Sequence, residues 1–310
     1  PDVALLSDAQ FEEFRQSGLL QDLRPLLDPA AALHYRFPAL AAFEDGEALY
    51  GLPFGCRLMT LFYNPRLAKP PAAALDDLLA AVSPAAPLAI DVSYYGAFWG
   101  VSAFGGNVSG ANNALKLGRK GFVEWLRWLQ AARQRPGVIL QADAAALRRL
   151  FAEGNAAYLF AESDALASFR RALGDDGVGV AALPAGSAGA VGRAFLRVDG
   201  LAVIAGKDEA QTKAAAAFAE FAASDAGQTI LMNAGQIAPT NQLTAAAIAD
   251  PTLAALSERV ESSLVLPDMA TMAVLNAAGN AAIESVLTGG ATPEAAVETF
   301  LQTMRGNQAK

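Results

Sequence analysis

Apolar residues recur along this chain at two alternating periods, and the alternation predicts its elements. Residues 3–6 form a short apolar run, and Ser7-x-x-Gln10 after it is a capping box that satisfies free amides at a helix start. Phe11, Phe14 and Arg15 follow at helical spacing, with Gly18 as the stop. Residues 58–63 are an apolar and aromatic strand, introduced by Pro53 and Gly55 and closed by Asn64-Pro65, because proline cannot extend a ladder. Leu75, Leu78 and Leu79 mark one helix face, residues 87–91 read as a strand, and residues 94–104 as a helix. Phe122, Trp125, Leu126 and Leu129 give a periodic packing helix over 121–133. Leu147, Leu150 and Phe151 give another over 142–153, stopped by Gly154 and followed by a strand over 156–160.

Farther on, residues 178–183 and 200–204 read as strands, and 207–223 and 225–233 as helices with Phe218 and Phe221 on the buried face. The chain is helical from residue 250 onward, and Thr292-Pro293-Glu294 supplies a cap with proline at the first helical position. Residues 27–50 are irregular and carry His34. Strands alternating with helices predict an α/β fold.

Composition narrows the chemistry. The chain has 310 residues, enough for two domains, and 53% of them are hydrophobic. A net charge of -8 argues against a nucleic-acid backbone or an anionic membrane surface as partner. One cysteine, Cys56, and one histidine, His34, allow neither an intramolecular disulfide nor a Cys/His zinc cluster, and no metal or cofactor is expected. Gly206-Lys207 lies one residue too far from Gly200 for a phosphate loop, and Asp208 stands where Ser or Thr is needed. No nucleophile elbow is present.

Several segments in order resemble the family 1 extracellular solute-binding proteins of ABC importers, the group that contains maltodextrin-binding proteins. They are the PDVALLSDAQ opening, Gly51-Leu52-Pro53-Phe54 with Leu61-x-Tyr63-Asn64, the aromatic run closing on Gly105-Gly106, the FAEGNAAYLF stretch, and IAPTNQ at 237–242. The resemblance implies a two-lobed α/β fold of the periplasmic-binding-protein type (type II), hinged by crossover strands. It implies one lobe at residues 1–56 and 202–236 and another at 57–201 and 237–310. It further implies a monomer, periplasmic or extracellular and open to lipid anchoring, that binds a sugar or polyol in an interlobe cleft and delivers it to an ABC permease. Relatives have a further strand, helix and strand before the "PDV", so truncation is expected. A carbohydrate hydrolase and a non-transport sensor or remnant of the same fold remain alternatives.

Candidate contacts follow from strand ends and from aromatic composition. Asp8 sits at the end of the first strand, where open α/β sheets present ligands. Tyr94, Tyr95, Phe98 and Trp99 crowd one helix; they read either as dense packing or as a face on which a sugar ring can lie. Glu162 and Asp164 follow another strand, where the resemblance leads one to expect a sugar-stacking tryptophan. By the resemblance Arg57 and Asp199 lie beside the crossovers. Arg57 takes a position where maltodextrin binders carry a carboxylate, which leaves a phosphorylated polyol open.

Overall fold

The computed structural model describes residues 1–28, 30–106, 108–109, 116–187, 189–233, 236–240 and 248–308. The chain divides into two compact units, Pro1–Leu58 with Leu196–Met269, and Met59–Phe195 with Ala270–Lys310.

In the first unit, strand β1 (Val3–Ser7) runs into helix α1 (Asp8–Gln16) through the expected capping box, in which the Ser7 hydroxyl accepts from the Gln10 amide and the Gln10 side chain accepts from the Ser7 amide. The stretch expected to be irregular holds a short helix α2 (Phe37–Leu40) and a hairpin, β2 (Glu44–Asp45) with β3 (Ala48–Leu49). Strand β4 (Leu52–Tyr63) is twice the expected length and passes from this unit into the next. The sheet here runs β1–β11–β4, β11 being Phe195–Val203 and antiparallel to both neighbours. Helices α8 (Glu209–Ala223), α9 (Asp225–Asn233) and α10 (Pro251–Arg259) and the short strand β12 (Leu264–Val265) complete the unit.

The second unit begins with the remainder of β4 and adds α3 (Leu75–Ala81), β5 (Leu88–Asp91) and α4 (Tyr94–Ala103). It continues through the hairpin of β6 (Val108–Ser109) and β7 (Lys116–Leu117), then α5 (Arg119–Arg133), β8 (Val138–Gln141), α6 (Ala144–Ala152), β9 (Tyr158–Glu162), α7 (Leu166–Leu173) and β10 (Gly179–Ala181). Helices α11 (Met269–Leu287) and α12 (Pro293–Gln308) close the chain. Strands β8, β5 and β9 are parallel, and β4 lies antiparallel to β9. Their carboxyl ends therefore share one edge, from which helices α6 and α4 and the turn after β9 depart.

Three expectations are corrected. Residues 196–201 belong with the first unit, because β11 pairs residue by residue with β1, Ser7 opposite Asp199. Residues 237–240 also belong there, because the Cys56 amide donates to the Ile237 carbonyl and the Arg36 amide to that of Pro239. Asn241 and Gln242, expected at a crossover, lie outside the described residues. Finally, Phe218 and Phe221 are exposed; the inward face of α8 is the alanine row Ala215, Ala216, Ala219, Ala222 and Ala223, which allows closer helix approach than phenylalanines would.

Candidate functional site

The aromatic helix is packing throughout most of its length. Tyr94, Phe98 and Trp99 are each 1% exposed, which corrects their expected role as a sugar platform. Phe98 stacks on Phe195 with centroids 4.3 Å apart, and Trp99 stacks on Phe160 at 4.0 Å. Tyr94 meets Phe98, Phe122 and Phe300, and burial pushes its phenol well above the ordinary tyrosine range. Because α4 has no polar stripe it is enclosed on nearly every side. Its N-terminus is fixed by the Ser93 cap and by the Asn280 side-chain oxygen, which accepts from the Tyr94 amide at 2.6 Å.

Tyr95 is the exception. It is half-buried beside Phe195, and its hydroxyl donates to Glu162 Oε1 at 2.7 Å. Around this pair lies a cavity of about 110 Å³ with an apolar floor of Met59, Leu147 and Phe160 and a polar wall of Asp91, Arg148 and Glu162. Arg148, on α6, donates two hydrogen bonds to Asp164, at 2.9 and 3.4 Å, and lies 3.6 Å from Glu162 Oε2. Asp91 ends β5, is 8% exposed and accepts from the Ser93 amide at 2.8 Å. Burial raises its pKa, opposed by hydrogen bonds from Ser93 and by the charge of Arg148. The wall thus stands at the carboxyl ends of the parallel strands β5, β8 and β9, the edge at which open α/β sheets hold ligands.

A second charged group occupies the first unit at the end of β1. Asp8, its side chain 7% exposed, takes the Arg197 Nε–H on both carboxylate oxygens, at 2.9 and 2.7 Å. Asp199 takes two hydrogen bonds from Arg57, at 2.7 and 3.1 Å. Arg57 and Arg197 face each other across the β4–β11 register, and Arg197 and Asp199, two apart, share a strand face. A cavity of about 180 Å³ in the same unit is lined by Asp8, Glu12, Glu44 and Asp268, but Glu12 is held by Arg15 and Glu44 by Arg24.

The predicted residues thus fall into two sets, Tyr95, Glu162 and Asp164 in one unit and Asp8, Arg57 and Asp199 in the other. Sequence reading missed Arg148, Asp91 and Arg197. The rule that singled out Asp8, a carboxylate ending a strand, applies equally to Asp91 at the end of the expected 87–91 strand. Arg197 is two residues before Asp199 and so on its face, whereas nothing in the spacing distinguishes Arg148 from other helix arginines. Among the described residues no group of three or more His, Cys, Asp or Glu is placed to hold a metal.

The sequence profile described as "Bacterial extracellular solute-binding protein" matches residues 1–256. The chain belongs to this family. No curated protein sequence matches the solute-binding protein. Its fold matches that of a cyclo/maltodextrin-binding protein solved with maltotetraose, with a TM-score of 0.82 at 23% identity over 99% of this chain and 82% of that one. It also matches the GacH receptor of Streptomyces glaucescens, solved unliganded and with acarbose (TM-score 0.81, 20% identity, 99% and 83% covered). The maltose-binding periplasmic protein of Listeria monocytogenes, in complex with maltose, matches with a TM-score of 0.84 at 18% identity over 99% of this chain and 84% of that one. The expected two-lobed α/β fold class is therefore confirmed. Membership of an extracellular family agrees with the expected extracytoplasmic location, and among the described residues no helix is long and apolar enough to cross a membrane.

Proposed function

We propose that this solute-binding protein captures a carbohydrate or polyol outside the cytoplasmic membrane and delivers it, unchanged, to an ABC permease. The observation that carries the ligand class is the Tyr95–Glu162–Arg148 group over an apolar floor. A sugar ring has C–H faces that favour apolar surface and a rim of hydroxyls that needs fixed donors and acceptors, and this wall offers both kinds. The structural neighbours whose ligands are named, maltotetraose, acarbose and maltose, support the same class. Asp8, Arg57 and Asp199, grouped in the first unit, are proposed as ligand-binding residues in their own right.

The test is a thermal-shift screen against mono- and oligosaccharides and polyols, followed by calorimetry and chromatographic recovery of the ligand. A sugar at a hundred times its Kd should stabilise the protein by about 2.7 kcal/mol. Recovery of the sugar intact supports delivery; recovery of cleaved product, or no shift with any carbohydrate, overturns the reading.

A further inference from the structure

In the second unit, the wall of the cavity around Tyr95 carries more carboxylate than counter-charge. Asp91, Arg148 and Glu162 line it, all from elements of that unit. Arg148 gives its two hydrogen bonds, at 2.9 and 3.4 Å, to Asp164, a residue that does not line the cavity. Glu162 lies 3.6 Å from Arg148 and accepts from Tyr95 at 2.7 Å, a bond that brings it no full charge. Asp91 is 8% exposed; the Ser93 amide reaches it at 2.8 Å, and among the described residues no ion pair joins it. The amino end of α6, which brings Ala144 to the wall, is already capped by Asp143, whose carboxylate accepts from the Ala146 amide at 2.9 Å. Asp91, Glu162 and Asp164 thus share one guanidinium, and the most buried of them is outside its reach. A buried carboxylate without a counter-charge is costly. Burial accordingly raises the pKa of Asp91, and the charge of Arg148 offsets this less than the Ser93 hydrogen bonds do.

Resting on the carbohydrate reading above, we propose that this cavity takes the ammonium group of an amino sugar, with Asp91 as its counter-ion and Glu162 as a second acceptor. An ammonium has three donors and no acceptor, which suits a wall where carboxylates outnumber cations. It supplies the charge that Asp91 lacks, so its binding removes a cost that the empty cavity carries. A sugar hydroxyl can donate to the same oxygens but brings no charge, and its hydrogen bond to a carboxylate is the weaker one. The floor of Met59, Leu147 and Phe160 offers apolar surface to the C–H face of the ring that bears the amine.

The test is calorimetry of the whole chain at neutral pH with glucosamine and galactosamine, each beside its parent sugar and its N-acetyl form, and with maltose. N-acetylation keeps the nitrogen and removes its charge. In at least one set the amine should bind about tenfold more tightly than both neutral forms. Asp91→Asn should bring that ratio close to one, and Glu162→Gln should narrow it. A merely structural loss would weaken the amine and its neutral forms alike and leave the ratio unmoved. A neutral sugar bound as tightly as any amine, or a ratio that survives in Asp91→Asn, overturns the ammonium site while leaving the carbohydrate reading intact. Binding of none of the sugars, charged or neutral, overturns both.

Discussion

The Tyr95 hydroxyl donates to Glu162 across 67 positions of sequence, from the first turn of α4 to the last residue of β9. This bond holds a phenol edge and a carboxylate together beside the cavity floored by Met59, Leu147 and Phe160. Tyr95→Phe should lower carbohydrate affinity by roughly tenfold and Glu162→Gln by more, with stability changed by about 1–2 kcal/mol. Calorimetry on variants with verified melting curves measures both; unchanged affinity in both variants would remove the pair from the site.

The neighbours of Tyr95 on the same helix behave differently. Phe98→Ala or Trp99→Ala opens a cavity in a stacked aromatic core and should cost about 3–5 kcal/mol of stability by denaturant unfolding. A loss under 1 kcal/mol would contradict their burial.

Gly279 on α11 is the close-approach point for Tyr94, since a Cβ there would overlap the phenol ring. Tyr94 is held by three aromatic neighbours, so its ring does not move cheaply. Gly279→Ala should destabilise by about 1–3 kcal/mol despite alanine's better helix propensity, and a rise in Tm would disprove the contact.

Burial raises the pKa of Asp91, so the folded state favours its protonated form. The stability this lends is complete below the unfolded value near pH 4 and is lost as pH rises through the folded value. Asp91→Asn stays neutral throughout. It should match the wild type in strong acid and melt above it at neutral pH. Parallel melting curves across the acid range, with a constant offset between the two proteins, would show that the carboxyl does not titrate in this way.

Phe218 and Phe221, 55% and 58% exposed, contribute little to the fold. Phe218→Ser and Phe221→Ser should each change stability by no more than about 0.5 kcal/mol. A cost above 2 kcal/mol would return them to the core.

Local signals in the sequence were sufficient for what depends on neighbours in the chain. The capping box at Ser7 and Gln10, the cap before Pro293, the packing face of α5 and the length of α4 all follow from side chains a few positions apart, whose interactions a helix fixes wherever it sits. Pattern along whole segments also sufficed for the fold class, since strands alternating with helices have few stable solutions. Direction was a different matter. A helix apolar on nearly all sides has no preferred inward face, so only the return of Phe195, Phe160 and Phe300 decided that Phe98, Trp99 and Tyr94 are enclosed while the Tyr95 hydroxyl bonds to Glu162. The same holds for charge: Arg57 reads as an open cation until Asp199, 142 positions later, is brought beside it by the β4–β11 pairing. Short-range interactions are written in the order of the residues, whereas contacts made by sheet register exist only once distant segments have been aligned.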